Sequence, residues 1–191
     1  MRDKWRGKSW YTVVSPPYFG TVKLGIIPAD EPSKLLGRVI DTTLYEITNN
    51  FSHQYLKMYF KVTGVDGKTV RTIFNGHEYS RDYLRSLVRR RTTQIEGIFN
   101  VTTKDGYQLR LAASAFTLRR IKTSQERAIR AIIKKIIEGK AAQLSYKQFV
   151  QEVVLGKIAS DIYNEAKKVA PIRHVGIRKS KLITQPPPVA G

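Results

Sequence analysis

The sequence predicts an α+β protein with a mostly antiparallel, barrel-like β core, one inserted helix, a C-terminal helical segment and extended basic termini. Residues 10–122 carry runs of β-branched and aromatic residues between turn signals, whereas residues 123–170 follow a helical period. A third observation is the charge, because 34 Lys and Arg against 15 Asp and Glu leave +19 on 191 residues. The remaining segments are a basic arm over residues 1–9 and a basic, proline-rich tail over residues 171–191.

The charge excess indicates a polyanionic partner, either nucleic acid or an anionic membrane surface. The sequence has no run of about eighteen apolar residues, and its charged N-terminus lacks the apolar region of a signal peptide. We therefore expect nucleic acid and no membrane. The sequence contains no cysteine, which excludes disulfides and cysteine-ligated metals and fits a cytosolic protein.

The N-terminal arm places four cations around a tryptophan and leads into a first strand predicted over residues 10–14. Such an arm is not expected to become ordered alone. Trp5 is predicted to face RNA, whereas Trp10 and Tyr11 lie in the strand, where core packing is the commoner use. The predicted RNA contacts of the arm are Arg2, Lys4, Trp5, Arg6 and Lys8.

Further strands are predicted from β-branched and aromatic runs, and Asp-Gly pairs at Asp66 and Asp105 mark two hairpin turns. In one run, Leu56, Met58 and Phe60 alternate with Lys57, Tyr59 and Lys61. This alternation predicts one packed face and one basic, solvated face. The predicted strands cover residues 21–27, 38–48, 54–65, 69–74, 92–102 and 107–118.

One helix is predicted inside the β region, over residues 80–91, with Ser80 as its N-cap. At about 100° per residue, one arc of this helix is apolar and consists of Tyr83, Leu84, Leu87 and Val88. The other arc and the helix end carry five arginines against one aspartate. An ordinary solvated face is the alternative, but such faces usually mix both signs. The predicted RNA contacts are Arg81, Arg85, Arg89, Arg90 and Arg91.

The C-terminal part of the sequence changes to a helical period. A capping box over residues 123–126 opens the first helix, which Gly139 is expected to end. A second box over residues 145–148 opens a short helix that ends at Gly156. A third helix is predicted from residue 157 to about residue 170.

Two further cationic clusters lie in this part of the sequence. Residues 119–140 hold eight cations against two glutamates, and residues 167–181 hold six cations and no acid. The second cluster extends into the tail over residues 171–191, which is expected to become ordered only on a partner. The predicted RNA contacts are Arg119, Arg120, Lys122, Arg173, Arg178, Lys179 and Lys181.

Catalytic patterns are missing from the sequence. His53, His77 and His174 lack metal-ligand spacing, and the sequence has no Walker loop, nucleophile elbow or H-E-x-x-H motif. No catalytic residue, metal site or cofactor is therefore predicted.

Two rival functions remain open. An RNA-processing nuclease would use Asp41 and Glu46 as a carboxylate pair for Mg²⁺. A protein that docks translation factors would use the helices over residues 145–170, around Tyr163. These functions differ from a purely structural one in requiring either cleavage or a protein partner on that face.

Five long segments, taken together, resemble one known family. The most specific is TIFNGHEYSRDYLRSLVRRRTTQIEGIFNVTTKDGYQLR over residues 72–110. The others follow the family in the same order and cover residues 8–16, 36–62, 115–136 and 149–182. The chain resembles the archaeal and eukaryotic family of small-subunit ribosomal proteins called S-three-a-e, or S-one-e in the unified naming.

The resemblance implies a β-barrel-like core flanked by helices, and a place in the cytoplasmic small ribosomal subunit, on its platform near the mRNA exit. It implies rRNA and neighbouring small-subunit proteins as partners, with mRNA at the exit channel and translation factors as further candidates. It implies no catalysis and no cofactor. The sequence lacks the long C-terminal extension of eukaryotic members, so an archaeal source is expected. The resemblance transfers no individual RNA contacts, and the predicted contacts rest on the charge clusters.

Overall fold

The computed structural model describes residue 5 and residues 7–185. The chain divides into two compact units, Met1–Gly76 and His77–Gly191. Outside the described residues lie three predicted RNA contacts and the end of the predicted tail, namely Arg2, Lys4, Arg6 and residues 186–191.

The first unit contains the strands β1 (Ser9–Val14), β2 (Lys23–Ala29), β3 (Val39–Thr43), β4 (Leu56–Asp66) and most of β5 (Thr69–Tyr79). Their order in the sheet is β2-β1-β5-β4-β3. β1 pairs antiparallel with β2 and parallel with β5, and β3 pairs antiparallel with β4. The predicted Asp66-Gly67 turn joins β4 to β5, and Gly67 has a φ of +58°, which glycine adopts readily.

One face of these strands forms the core of the first unit. Its buried residues include Tyr11, Val13, Ala29, Leu35, Val62 and Val70. Because side chains alternate along a strand, Trp10 lies on the opposite face and is 59% exposed. The prediction that Trp10 packs in the core is therefore wrong, whereas Tyr11 is buried.

The predicted strand over residues 38–48 ends early. β3 stops at Thr43 and the chain continues as the short helix α1 (Leu44–Thr48). The Glu46 carboxylate accepts hydrogen bonds from the hydroxyls of Thr42 at 2.5 Å and Thr43 at 3.3 Å, which fixes the helix start. Threonine is β-branched and favours a strand. Here Thr43 is the N-cap of the helix, and its side chain makes no capping bond to a backbone N–H.

The second unit contains the end of β5 and the strands β6 (Gln94–Thr102), β7 (Gln108–Thr117) and β8 (Ile172–Thr184). Its helices are α2 (Arg81–Leu87), α3 (Thr123–Gln143), α4 (Tyr146–Val154) and α5 (Lys157–Ala166). The strand order is β5-β8-β7-β6, and both β6 and β8 pair antiparallel with β7.

The strand β8 differs most from the sequence prediction, which expected an extended tail from residue 171. Its 13 residues lie between β5 and β7, and Val175, Ile177 and Leu182 are buried. Gly176 is also buried, because the Tyr79 hydroxyl occupies the space that a Cβ would need. The cations of this segment hid its apolar pattern, and β-bulges in the β7–β8 pairing interrupt strict alternation.

The eight strands form one mixed, mostly antiparallel sheet that does not close within the described residues. The α+β class is therefore confirmed, and the barrel-like closure predicted for the core is wrong. The predicted tail supplies β8, which extends the sheet between β5 and β7. The segment that the sequence predicted to be an extended tail is thus a strand whose apolar side chains are buried.

The helix α3 begins one residue earlier than the predicted capping box implies, and it ends later than the predicted stop at Gly139. Its N-cap is Lys122, whose N–H donates to Gln125 Oε1 at 3.1 Å, so the polar cap is formed by the glutamine. The helix continues past Gly139 to Gln143 because Ala141 is buried on the same face as Ile137. This burial outweighs the weak helix propensity of glycine, about 1 kcal/mol.

The two following helices begin where the sequence predicts. Ser145 is the N-cap of α4, and its backbone N–H donates to Gln148 Oε1 at 3.4 Å. Gly156 separates α4 from α5 in a left-handed conformation with a φ of 82°. The predicted third helix is shorter than expected, because α5 ends at Ala166.

A buried histidine connects β5 to β8 in the second unit. His77 Nε2 donates to the Ile177 carbonyl at 2.8 Å, and the Ser180 hydroxyl donates to His77 Nδ1 at 2.7 Å. The Ser180 hydroxyl oxygen also accepts a hydrogen bond from the backbone N–H of His77 at 3.1 Å. Burial lowers the pKa of His77 to about 4, although the bond to Ile177 opposes this. The neutral imidazole is therefore part of the folded second unit.

Acid should destabilise the protein partly through His77. Its folded pKa lies below its ordinary value of 6.5, so the unfolded state takes up a proton first as the pH falls. Between about pH 7 and about pH 4.5, the wild type should lose about 2–3 kcal/mol more unfolding free energy than His77→Gln. Urea unfolding followed by circular dichroism measures both losses, and equal losses would contradict the prediction.

Candidate nucleic-acid interface

Two threonines join the segment before β6 to the segment after β7. The Thr93 N–H donates to Thr117 Oγ1 at 2.9 Å, and the Thr117 N–H donates to the Thr93 carbonyl at 3.0 Å. The Thr117 hydroxyl reaches the Arg119 carbonyl at 2.7 Å, and the Ile121 N–H donates to Thr93 Oγ1 at 3.3 Å. Thr117 is completely buried. We call Thr93 and Thr117 the threonine junction.

The threonine junction brings two predicted cation clusters together. One cluster lies on the three residues before Thr92, and the other follows Thr117 directly. All six side chains are exposed, although 27 residues separate the last member of the first cluster from the first member of the second. We call them the basic cluster, which consists of Arg89, Arg90, Arg91, Arg119, Arg120 and Lys122.

The helix α2 presents two further exposed arginines, Arg81 and Arg85, beside the basic cluster in the sequence. Ser80 caps it as predicted, because Ser80 Oγ accepts from the Tyr83 N–H at 3.3 Å. Tyr83 anchors the helix, with its ring 6.1 Å from His174 and 5.4 Å from Tyr79. The arginine face is therefore held on a packed helix.

The helix α2 ends at Leu87, earlier than predicted, and Val88 is extended and 54% exposed. The Arg173 guanidinium donates to the Leu87 carbonyl and so satisfies the helix end. Burial, and then the charge of Arg173, lower the pKa of the neighbouring His174. β8 thus fixes where the chain leaves α2 and enters the basic cluster.

The turn through the basic cluster is tightly specified. Arg91 has a φ of 60°, a left-handed conformation that costs a non-glycine residue about 1–2 kcal/mol. The Thr92 hydroxyl donates to the Arg89 carbonyl at 2.7 Å and holds this turn. A strained backbone that its surroundings hold in place is typical of functional sites.

The cations of the chain fall into two groups, paired and unpaired. Within the described residues, neither the basic cluster nor Arg81 and Arg85 form an ion pair with a carboxylate. Most carboxylates instead pair with other cations. Examples are Lys157 with Glu152, Lys168 with Glu165, Arg178 with Glu96, Lys179 with Glu78 and Lys140 with Asp161.

The unpaired cations are free to contact phosphate, whereas a paired cation must first leave its carboxylate. Exposed arginines bind phosphate in a bidentate fashion. When they neutralise the phosphates of a nucleic acid, counterions are released from it. Three predicted contacts on β8 have protein partners, namely Arg173, Arg178 and Lys179, while Lys181 is exposed. Their contact with RNA stays a prediction.

In the N-terminal arm, Trp5 is 62% exposed, and Lys8 Nζ lies 3.9 Å from the centre of its ring. Of the rival nuclease pair, Asp41 is exposed on β3, and Glu46 accepts the threonine hydroxyls that start α1. No group of three His, Asp or Glu side chains that could hold a metal ion is found among the described residues. In the same part of the chain, no helix is long and apolar enough to cross a membrane.

Sequence reasoning missed the convergence at the threonine junction and the exposure of Trp10. The convergence depends on hydrogen bonds between distant residues, which leave no local signal. The exposure of Trp10 had a signal, since the alternation of Tyr11 and Val13 already placed Trp10 outside.

The fold and the unpaired cations define a basic α+β protein with a cluster of exposed cations that have no carboxylate partner among the described residues. The model of the Ribosomal S3Ae family matches residues 1–186. Since this is nearly the full sequence, the chain belongs to the ribosomal S3Ae family.

Three relatives with the name "Small ribosomal subunit protein eS1" agree with this assignment. The protein from Archaeoglobus fulgidus is 52% identical over 188 residues, which cover 97% of this chain and 89% of the relative. The Staphylothermus marinus protein is 47% identical over 98% of this chain and 89% of the relative. The Aeropyrum pernix protein is 49% identical over 98% of this chain and 90% of the relative. These relatives are archaeal, in line with the expected source.

Removing unpaired cations should weaken RNA binding more than removing paired ones. Arg119→Ala with Arg120→Ala should lower affinity for small-subunit rRNA and reduce the slope of log affinity against log salt by about 1 per residue. The matched control is Lys157→Ala with Lys168→Ala, which removes the same charge from cations held at 2.7 Å by carboxylates. Filter binding over a salt series measures both, and equal losses would contradict the distinction.

Proposed function

We propose that this protein is a structural constituent of the small ribosomal subunit that binds rRNA through the basic cluster. The observation that carries the proposal is the convergence of six exposed cations, unpaired within the described residues, at the threonine junction. The family is one of ribosomal proteins, and the three relatives carry the name of a small-subunit protein. The protein is therefore a ribosomal protein and not an enzyme.

Binding occurs mainly through phosphate and sugar. Arginine supplies a planar fork of donors that matches two phosphate oxygens, and such contacts position a protein without reading sequence. The A-form major groove is too narrow for side chains, so the cluster recognises the shape of a folded RNA. Arg81 and Arg85 extend the contact along α2, whose charged face is exposed.

The termini make separate contacts in this proposal. Of the arm over residues 1–9, Trp5 and Lys8 contact RNA, whereas Arg2, Lys4, Arg6 and the tail residues 186–191 lie outside the described residues. The location is the cytoplasmic small subunit, on the platform near the mRNA exit. Other small-subunit proteins are partners there, and mRNA and translation factors are accessible from that position.

The affinity for a small-subunit rRNA fragment should fall steeply with salt. Six cations that each neutralise a phosphate give a log–log slope on the order of −5 or steeper. Fluorescence anisotropy with a labelled fragment over a salt series measures the slope, and a slope near zero would exclude phosphate binding by the cluster.

In a lysate at low salt, the protein should sediment with small subunits, because its charge excess is neutralised there. A sucrose gradient followed by immunoblotting locates it. Recovery of all the protein in the free fraction would refute residence in the subunit, whatever the measured slope.

A further inference from the structure

The first unit carries a second exposed surface, on the outward side of β3 and β4. Along β4, the side chains of Leu56, Met58, Phe60 and Val62 are buried. The residues between them point outward, so Lys57 and Lys61 are exposed and Tyr59 is half-buried. This arrangement confirms the alternation predicted from the sequence. Only the opposite face of β4 packs in the core of the unit.

The pairing of β3 with β4 fixes which side chains share this outward side. Thr43 lies opposite Lys57, Asp41 opposite Tyr59, and Val39 opposite Lys61. Asp41 is exposed, and Val39 is 49% exposed. At about 3.3 Å per residue, Lys57 and Lys61 lie about 13 Å apart, with Tyr59 between them. One aromatic ring is thus flanked along the strand by two cations.

An exposed aromatic pair lies at one end of the same two strands. Tyr45 is on α1, directly after β3, and Phe51 lies five residues before β4 begins. Their ring centres are 5.6 Å apart with an interplanar angle of 75°. Phe51 is 71% exposed, the most of any large hydrophobic side chain among the described residues. Burial of an aromatic ring is favourable, so these two neighbouring exposed rings offer apolar surface that a binding partner can cover.

The chemistry of this surface suits single-stranded RNA. Unpaired bases stack on aromatic rings, and cations that flank the rings contact the backbone phosphates. Within the described residues, Lys57 and Lys61 form no ion pair with a carboxylate, although Asp41 lies on the same side. A carboxylate accepts hydrogen bonds from base amino groups, which an unpaired strand exposes but the narrow major groove of an RNA duplex keeps from side chains.

We propose that the outward side of β3 and β4, together with Tyr45 and Phe51, binds single-stranded RNA by base stacking. The rings of Phe51 and Tyr59 receive bases, Lys57 and Lys61 contact phosphates, and Asp41 accepts from a base amino group. This surface is independent of the basic cluster, which lies in the second unit and has no exposed aromatic ring among its members. The protein therefore has one site for folded RNA and another for a flexible strand.

The test measures the binding of two RNA ligands to the full chain, each in a separate experiment. The first is a labelled single-stranded oligocytidine RNA of about 12 nucleotides, a length within the known site sizes of about 4–16. The second is the structured rRNA fragment. Phe51→Ala and Tyr59→Ala should each weaken oligocytidine binding about 10-fold, and Tyr59→Phe should retain it because the ring remains. Thermal melting establishes that each variant is folded, and Phe51→Ala serves where Tyr59→Ala is destabilised.

Charge variants provide matched controls for the aromatic ones. Lys57→Ala with Lys61→Ala should weaken oligocytidine binding more than Lys157→Ala with Lys168→Ala, which removes the same charge from paired cations. Asp41→Asn should reduce the preference for oligocytidine over oligouridine, because uracil has no amino group to donate. Arg119→Ala with Arg120→Ala should weaken the binding of the structured fragment and leave oligocytidine binding unchanged.

Three results would overturn the proposal. The first is oligocytidine binding that is unchanged in both Phe51→Ala and Tyr59→Ala. The second is equal weakening of both RNA ligands by the aromatic variants and by the arginine variant, which would indicate one common site. The third is a crosslink from Phe51 or Tyr59 to a protein and not to RNA in assembled subunits. Loss of binding to the structured fragment alone in the Arg119→Ala, Arg120→Ala variant, with oligocytidine binding lost in the aromatic variants, would support two separate sites.

Discussion

The second unit depends on the pairing of β8 with β7 and β5. β8 carries the hydrogen bonds to the buried His77, the ion pairs to Glu78 and Glu96, and the guanidinium that ends α2. Because Ile172 pairs with Thr117, the same strand also fixes the position of the threonine junction. Without β8, the end of α2 at Leu87, which leads into the turn through Arg91, would lose its hydrogen bond from Arg173. The geometry of the basic cluster is therefore a consequence of a strand distant from it in the sequence.

A charge of +19 would oppose folding if it were distributed evenly. The structure reduces this repulsion by pairing many cations with carboxylates on the helices and on β8. Most of these pairs are exposed and contribute little to stability, about 0–1 kcal/mol each. Their effect is to determine which cations stay unpaired, because the basic cluster has no carboxylate partner within the described residues. The exposed, unpaired cations of the basic cluster are thus defined by the placement of acids as much as by the placement of arginines.

The sequence predicts much of this fold where its signals are local. The Asp-Gly turns, the alternation along β4, and the caps at Ser80 and Ser145 rest on nearest neighbours, and the structure confirms them. β8 was missed because lysines and arginines within it obscured an apolar pattern that its bulges also interrupt. α1 was missed because it directly follows a run of β-branched residues that is typical of a strand. The residues of the basic cluster were predicted individually, but their convergence depends on contacts such as Thr93 to Thr117, which no local pattern contains.

The position of β8 also determines the order in which the chain can fold during synthesis. β7 ends at Thr117, and its partner β8 begins only at Ile172, after three helices have been made. The strands of the first unit lie before residue 77 and can pair while the rest of the chain is still inside the ribosome that makes it. The second unit must wait for β8, and pairing over such a long separation is intrinsically slow. The fold around the turn through Arg91 can therefore be completed only once β8 has been made.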